Sequence, residues 1–145
     1  GTTMKAAGSR AAFYRVDFDY VKNLAALAAA QGVGQFLMVT AVGADPDSVF
    51  FYSRAKGRIE QVIVALPFRS IHILRPSLLL GPRREPRLGE ELLKPAARLL
   101  SPLLLGPWRR YRPVHADSVA RLMVRLAGHD QPGIHIHYPS CRQNG

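Results

Sequence analysis

The sequence predicts an α/β protein with a Rossmann-like, doubly wound parallel sheet, and three observations support this fold class. Apolar side chains recur at helical spacing in three segments, and three short apolar runs of strand length lie between or after them. The resulting order, helix and strand three times over, builds a parallel sheet with helices on both faces. Three strands make half of such a sheet. We therefore expect a single domain, 1–145, that holds the C-terminal portion of the fold.

The first predicted helix runs from Arg10 to Gln31, and Gly32 is a suitable C-terminal stop. The residues that recur at helical spacing are Ala11, Ala12, Val16, Tyr20, Leu24, Leu27 and Ala28. The run from Gln35 to Val42 is nearly all apolar, which is typical of a strand buried on both faces. It is the first predicted strand.

A second helix and strand follow a short polar loop. Asp47 or Ser48 is expected to cap a helix over Val49 to Leu66, because short polar side chains satisfy free N–H groups at helix starts. Pro67 ends this helix, since proline disfavours helical backbone in the residue before it. The apolar run from Ser70 to Leu74 is the second predicted buried strand.

Proline and glycine interrupt the segment from Leu80 to Pro113, for which we predict a basic loop, a helix broken near Pro95 and Pro102, and an Arg-rich loop around Trp108. A last helix starts at Asp117 or Ser118, with the apolar residues of one face being Val119, Leu122, Met123 and Leu126. The alternating run from Ile134 to Tyr138 is the third strand.

Composition excludes several classes of protein. With 48% hydrophobic residues in 145, the chain is too apolar for a disordered tail. No apolar run reaches the roughly 18–20 residues that a membrane-spanning helix needs. The one cysteine, Cys141, excludes an internal disulfide and a cysteine-based zinc site. A reducing, cytoplasmic location is the resulting prediction.

The net charge of +10 is carried mainly by arginine, which is 16 of the 20 basic residues. Guanidinium groups match phosphate oxygens, so nucleic acid is one candidate partner, through the cluster Arg109 to Arg112. The arginines are spread along the whole chain, however, which favours a genome rich in G and C as their cause. Nucleic-acid binding is therefore the weaker alternative.

The stretch from Tyr52 to Lys56 carries the main chemical signal. Four-residue spacing on a helix places the two side chains on one face, with Cβ atoms about 5–6 Å apart. An ammonium at that range stabilises a phenolate, which lets Tyr52 act as a general acid or base in carbonyl reduction or alcohol oxidation. Thr40, at the end of the preceding strand, is expected to hold the substrate oxygen.

The histidines predict no metal site. His135 and His137 lie on the same face of a strand, but no acidic residue is close to them in sequence. His72 lies inside a predicted buried strand, where a core histidine with satisfied hydrogen bonds is expected.

Three ordered motifs resemble the atypical short-chain dehydrogenases, in the branch related to nucleoside-diphosphate-sugar epimerases and the Tat-interacting oxidoreductase-like protein. They are residues 39–45 (VTAVGAD), 51–60 (FYSRAKGRIE) and 74–83 (LRPSLLLGPR). Residues 1–3 (GTT) and 15–17 (RVD) are similar to the end of that branch's fourth strand and the helix after it. The resemblance covers nearly the whole chain and implies an oxidoreductase that uses NAD or NADP.

The resemblance also implies roles for particular residues. Tyr52 matches the catalytic tyrosine, Lys56 the lysine that assists it and holds the nicotinamide ribose, and Thr40 the position where the family usually has serine. The remaining cofactor positions are Gly1, Thr2 and Thr3 beside the ribose and Pro76, Ser77 and Leu78 beside the carboxamide. Asp117 falls where the late helix opens, as a cap rather than a catalytic group.

Arg83, Arg84 and Arg87 follow the second strand, where α/β sheets bind ligands. They are expected either to meet a phosphate of a small-molecule substrate or to form a solvated loop. The family's glycine-rich phosphate turn is absent, because Gly32 and Gly34 stand between a helix and a strand in the reverse order. We therefore expect an N-terminally truncated oxidoreductase that binds a dinucleotide weakly by itself. A non-catalytic binding protein of the same fold is the alternative.

Overall fold

The computed structural model describes residues 1–80, 110–129 and 131–139, and three parallel strands form one sheet within them. The strands are β1 (Gln35–Val39), β2 (Ser70–Leu74) and, further along the chain, Gly133–His137. Ser70–Leu74 lies in the centre, so that Leu37, His72 and His135 are neighbours across the sheet. Two shorter strands, β3 (Leu79–Leu80) and β4 (Val114–His115), form a second parallel pair, and Gly133–His137 is β5. The prediction of a partial Rossmann-like α/β fold is confirmed.

The helices of the described residues either precede β1 or lie between later strands. They are α1 (Met4–Ala7), α2 (Arg10–Tyr14), α3 (Tyr20–Ala30), α4 (Phe51–Val64) and α5 (Ala116–Ala127), with a π-helical segment, Arg15–Asp19, joining α2 to α3. In the parts of the chain that the structure describes, no helix has the length and apolar character needed to cross a membrane. The helices pack on both faces of the sheet.

The two faces of the central strand carry separate hydrophobic clusters. Ile71 and Ile73 pack with Ile59 and Ile63 of α4 on one face. Leu74 points to the other face and packs with the apolar side of α5, including Val119. The predicted apolar face of the last helix is therefore confirmed. All five residues of β2 are buried, as predicted for a strand with helices on both sides.

The helical segment over residues 10–30 is continuous, as predicted, and ends before Gly32, whose φ is +76°. Its buried face differs from the predicted one, because Tyr20, Leu24 and Leu27 are exposed. The inward positions are Phe13, Asp17, Val21 and Ala25, each four residues after the last. An α-helix turns every 3.6 residues, so that spacing drifts off one face unless a wider turn is inserted. The π-helical segment supplies that turn.

The predicted helix caps are wrong at two positions. Phe50 is the N-cap of α4, and Ser48 instead accepts a hydrogen bond from the Phe50 N–H at 3.2 Å, within the turn before the helix. His115 is the N-cap of α5, and Asp117 lies in its first turn without a capping hydrogen bond. An acidic residue in the first turn still complements the helix dipole. Sequence alone placed the starts of α4 and α5 within two residues, whereas α1 was not predicted.

β1 is shorter and more exposed than predicted. It ends at Val39, and of its five residues only Met38 is buried. Within the described ranges it pairs with β2 along one edge alone, which leaves its other edge uncovered. The predicted loop and broken helix between residues 81 and 109 lie outside the described residues.

Candidate functional site

The candidate site lies at the carboxyl ends of β1 and β2, where α4 begins. Tyr52 and Lys56 occupy successive turns of α4 on one face, and the Lys56 Nζ atom is 5.8 Å from the centre of the Tyr52 ring. Tyr52 is 43% exposed, so its phenol is open to a ligand. The spacing argument therefore placed both side chains correctly, while their catalytic role stays a prediction.

Phe13 of α2 packs against both Tyr52 and Lys56. Its side chain is fully buried, and its ring centre lies 5.8 Å from that of Tyr52 and 6.0 Å from the Lys56 Nζ atom. A cation above an aromatic face is attracted by the ring's negative charge density. Phe13 therefore restricts both the tyrosine ring and the ammonium.

Asp17 joins the site from the π-helical segment and was missed by the sequence analysis. Its carboxylate Oδ1 is 2.5 Å from the Lys56 Nζ atom, and its Oδ2 accepts the Thr2 backbone N–H at 2.7 Å. The side chain is 3% exposed. The signal in the sequence is a carboxylate four residues after the apolar Phe13, because such residues share a helix face and buried acids need partners.

The Asp17 carboxylate joins the N-terminal loop of residues 1–3 to Lys56. A Cβ atom on Gly1 would approach the Asp17 Oδ1 atom to 3.1 Å, which is tighter than ordinary packing. The Thr3 hydroxyl accepts the Ala6 N–H at 3.0 Å and so caps α1. The structure thus brings Gly1, Thr2 and Lys56 together, and their binding of a cofactor stays a prediction.

Thr40 is buried and its hydroxyl donates to the Glu60 Oε1 atom at 2.5 Å. A hydroxyl has one proton to give. Thr40 therefore has no second proton to offer a substrate oxygen while this bond persists. Its predicted role would require the bond to Glu60 to break, and the role remains untested.

Glu60 links the ends of the three strands of the main sheet, reaching the end of β5 through Arg75. It accepts two hydrogen bonds from the Arg75 guanidinium, from Nε at 3.1 Å and from the second amino group, besides the one from Thr40. The Arg75 guanidinium also donates to the Tyr138 hydroxyl at 3.1 Å. The hydrogen bonds to Glu60 raise the pKa of Arg75 against the opposing effect of burial. Thr40, Arg75 and Tyr138 each follow a strand. This network therefore fixes the carboxyl ends of the three strands next to the site.

The segment Pro76 to Leu78 runs beside the loop that follows β1. The Pro76 carbonyl accepts the Val42 N–H at 2.9 Å, and the Leu78 carbonyl accepts the Val114 N–H at 2.9 Å. The Ser77 hydroxyl donates to the Arg112 carbonyl. These contacts hold the segment next to the carboxyl ends of β1 and β2, and the Ser77 hydroxyl is already paired. Contact of this segment with a carboxamide stays a prediction. The other predicted ligand residues, Arg83, Arg84 and Arg87, lie outside the described residues.

His72 is fully buried and its hydrogen bonds are satisfied, as predicted. The Ser70 hydroxyl donates to the Gln131 carbonyl at 2.7 Å, so it must accept from the His72 Nε2–H at 3.1 Å. His72 Nδ1 then accepts from His137 Nε2 at 3.0 Å. His135 and His137 share one face as predicted. Across the described ranges, no group of three or more potential ligands is arranged to hold a metal ion.

The hydrogen-bonded pair of His72 and His137 makes the stability of the fold depend on pH. Burial, followed by the charges of neighbouring histidines, lowers the pKa of both His72 and His137. The unfolded chain, with histidine pKa values of about 6.5, therefore binds protons more readily than the folded chain. We expect the melting temperature to be constant above about pH 7.5. It should fall as the pH drops through about 6.5, the pKa of histidine in the unfolded chain. His137→Gln should flatten the profile, whereas exposed His115→Gln should not. An unchanged slope in His137→Gln would contradict the assignment.

A parallel sheet with a Tyr–Lys pair at the carboxyl ends of its strands is typical of Rossmann-like proteins of the oxidoreductase type. Comparison with curated proteins supports this class. The chain is 37% identical over 131 residues to the protein FMP52, mitochondrial, of Saccharomyces cerevisiae, which covers 87% of the chain and 55% of the relative. It is 38% identical over 124 residues to the protein HTATIP2 of Rattus norvegicus, covering 86% and 49% respectively.

A third relative, the FMP52 protein of Meyerozyma guilliermondii, is 41% identical over 129 residues, covering 88% of the chain and 54% of the relative. The chain thus spans about half the length of the curated relatives it matches. No protein-family model matches it. The relatives support a Rossmann-like family of the oxidoreductase type.

The prediction of a cytoplasmic location is wrong by the same comparison. Relatives from Saccharomyces cerevisiae, Scheffersomyces stipitis, Emericella nidulans and Debaryomyces hansenii are all named as mitochondrial proteins. The prediction depended on a low cysteine content, which argues against structural disulfides. Cysteine content carries no information on the compartment beyond its redox state.

Proposed function

We propose that this chain supplies the proton-transfer site of an NAD(P)-dependent oxidoreductase of the short-chain type. The observation that supports the proposal is the Tyr52–Lys56 pair, with an exposed phenol and an ammonium held by Asp17 at 2.5 Å. We also infer a mitochondrial place of action, from the names of the fungal relatives. The small-molecule substrate is a carbonyl compound or the corresponding alcohol.

The residues present fit a nicotinamide cofactor. An ammonium has three N–H donors, of which Lys56 gives one to Asp17, so that two can meet ribose hydroxyls. Gly1 leaves room beside Asp17 that a larger residue would fill. When bound, the cofactor supplies or accepts the hydride.

The residues of this chain manage the proton. In the direction of reduction, the Tyr52 hydroxyl donates its proton to the carbonyl oxygen, and the Lys56 ammonium stabilises the phenolate that remains. In the reverse direction the phenolate takes the proton of the alcohol. Phe13 packs against the tyrosine ring and restricts its movement. General acid–base catalysis of this kind contributes about 10²- to 10⁴-fold to the rate.

Tyr52→Phe tests the proposal in the natural protein that contains this chain. We expect turnover of a broad panel of aldehydes and ketones with NADH or NADPH to fall by about 10²- to 10⁴-fold. The dissociation constant of the cofactor should change by less than about threefold, because the ring and its packing remain. Exposed Tyr20→Phe is the matched control and should behave as wild type.

Two outcomes would contradict the proposal. Retained turnover in Tyr52→Phe would remove the catalytic assignment. Saturable cofactor binding by the wild-type protein without turnover of any compound in the panel would favour the alternative, a non-catalytic binding protein with a regulatory or assembly role.

A further inference from the structure

We infer that Val49 and Phe50 form an apolar contact surface for the substrate, so that the site takes a carbonyl compound with an aliphatic chain or an aromatic ring. The inference rests on the proposed function and names the class of its substrate. Val49 is 85% exposed and Phe50 is 73% exposed, and both directly precede α4, the helix that carries Tyr52. Single exposed apolar side chains are ordinary, whereas contiguous ones beside a candidate site are typical of ligand contact.

The two side chains lie close to the exposed phenol. Phe50 is two residues from Tyr52, so their Cα atoms are at most about 7 Å apart. Phe51 and Tyr52 both pack against the buried ring of Phe13, with ring centres 5.8 Å apart in each case. Within the described residues, Phe50 makes no such ring contact. Phe51 therefore belongs to the packing beneath the site, whereas Phe50 is free to contact a ligand bound at the Tyr52 hydroxyl.

The backbone that carries Val49 and Phe50 is held in one conformation. Arg54 Nη1 donates to the Ser48 carbonyl at 2.6 Å and to the Val49 carbonyl at 3.1 Å. The Ser48 hydroxyl accepts the Phe50 N–H at 3.2 Å, and the Phe50 carbonyl accepts the Arg54 N–H at 2.9 Å. These bonds fix a short segment while its two apolar side chains stay in water. A surface fixed in advance loses less conformational entropy when a ligand binds.

Phe50 also stands where a helix usually has a polar residue. It is the N-cap of α4, with extended backbone (φ −79°, ψ 120°) and no side-chain hydrogen bond to the first turn. Serine, threonine, aspartate and asparagine are preferred there, because their side-chain oxygen satisfies a free N–H group. Residues that break a local rule without a gain in packing are expected at functional sites. The stability of α4 therefore does not explain Phe50, whereas ligand contact does.

Phe50→Ser tests the inference in the natural protein, with acetamide and hexanamide as the probes. NADH does not reduce these carboxamides, so calorimetric titration in its presence measures binding without turnover. We expect wild type to bind hexanamide about 10- to 100-fold more tightly than acetamide, because each buried methylene favours binding about fourfold. Phe50→Ser should lower that ratio by at least about fivefold. Phe50→Leu keeps an apolar side chain and should retain most of it.

The same substitution should stabilise the fold. A serine N-cap accepts a free N–H of the first turn, which raises the melting temperature by about 2–4 °C for a protein of 150–250 residues. Val124→Ala, at a comparably exposed valine of α5, is the matched control and should leave the amide ratio unchanged. If Phe50→Ser does not fold, Val49→Ser replaces it, and the ratio should fall by about twofold or more.

An unchanged ratio in Phe50→Ser and Val49→Ser would overturn the inference, as would a wild-type protein that binds both amides equally or not at all. Two further measurements identify another occupant of the surface. A lower melting temperature in Phe50→Ser with an unchanged ratio would show that other parts of the natural protein cover Phe50. Lost sedimentation with phosphatidylserine vesicles and an unchanged ratio would show that a membrane does. Either result overturns the inference.

The inference and the proposed function fail separately, because amide binding needs no turnover. A reduced ratio in Phe50→Ser combined with full activity of Tyr52→Phe would keep the apolar contact and remove the tyrosine from the chemistry. Loss of activity in Tyr52→Phe with a wild-type ratio in Phe50→Ser would do the reverse.

Discussion

Gly57→Ala is expected to destabilise the protein by more than about 4 kcal/mol, the range in which single substitutions become exceptional. Gly57 lies in the middle of α4, directly after Lys56, and faces the loop that follows β1. A Cβ atom at this position would lie 2.7 Å from the Asp45 backbone nitrogen and closer still to the Asp45 carbonyl carbon and the Pro46 nitrogen. Backbone atoms cannot rotate away as a side chain does.

The loop would therefore have to move as a whole. That movement breaks the hydrogen bond from the Asp45 N–H to the Ser53 carbonyl at 3.1 Å. Alanine gains only about 1 kcal/mol over glycine in helix propensity, which does not offset the clash. Total stabilities of about 5–15 kcal/mol leave little reserve after such a loss.

The measurement is the melting temperature of the natural protein. A loss of this size corresponds to a fall of about 10 °C or more for a protein of 150–250 residues. Gly34→Ala is the matched control, because a Cβ there meets no atom within 4 Å. Equal melting temperatures for the two variants would show that the loop does not pack against α4 as described.

Removing the Glu60 carboxylate charge is the second large change that we expect. Glu60→Gln leaves the Arg75 guanidinium without its anion and weakens the bond that Thr40 donates. Breaking a buried ion pair costs about 3–5 kcal/mol, and because Arg75 is 19% exposed we expect about 2–3 kcal/mol.

A double-mutant cycle isolates the contact from other effects. Glu60→Gln, Arg75→Met and the double variant are compared by denaturant unfolding, and we expect a coupling energy of about 1.5–3 kcal/mol between the two sites. Arg58→Met, on the exposed side of α4, is the control and should change stability by less than about 0.5 kcal/mol. A coupling energy below about 0.5 kcal/mol would mean that the contact between Glu60 and Arg75 does not fix the strand ends.

The parts of the fold that sequence predicted depend on local periodicity. Buried positions of β2 formed a continuous apolar run, so its bounds, Ser70–Leu74, were predicted to the residue. Both ends of α4 and the start of α5 were predicted within two residues, and Pro67 and the polar turn before α4 mark the ends of that helix. The buried face of the helical segment over 10–30 was not predicted, since a π-helical turn shifts the period and leaves no signal in composition.

The sequence by itself determined the order of the three strands of the main sheet and of the long helices beside them, and the Tyr52–Lys56 pair, but not α1, β3 or β4. Four residues along a helix always bring two side chains to one face, whatever the rest of the protein does. Only the tertiary structure decided that Asp17 holds Lys56, that Glu60 ties Thr40 to Arg75, and that Gly57 meets a backbone loop. Such contacts depend on how each helix is rotated and how closely it packs. Neither property is encoded in the spacing of residues along one element.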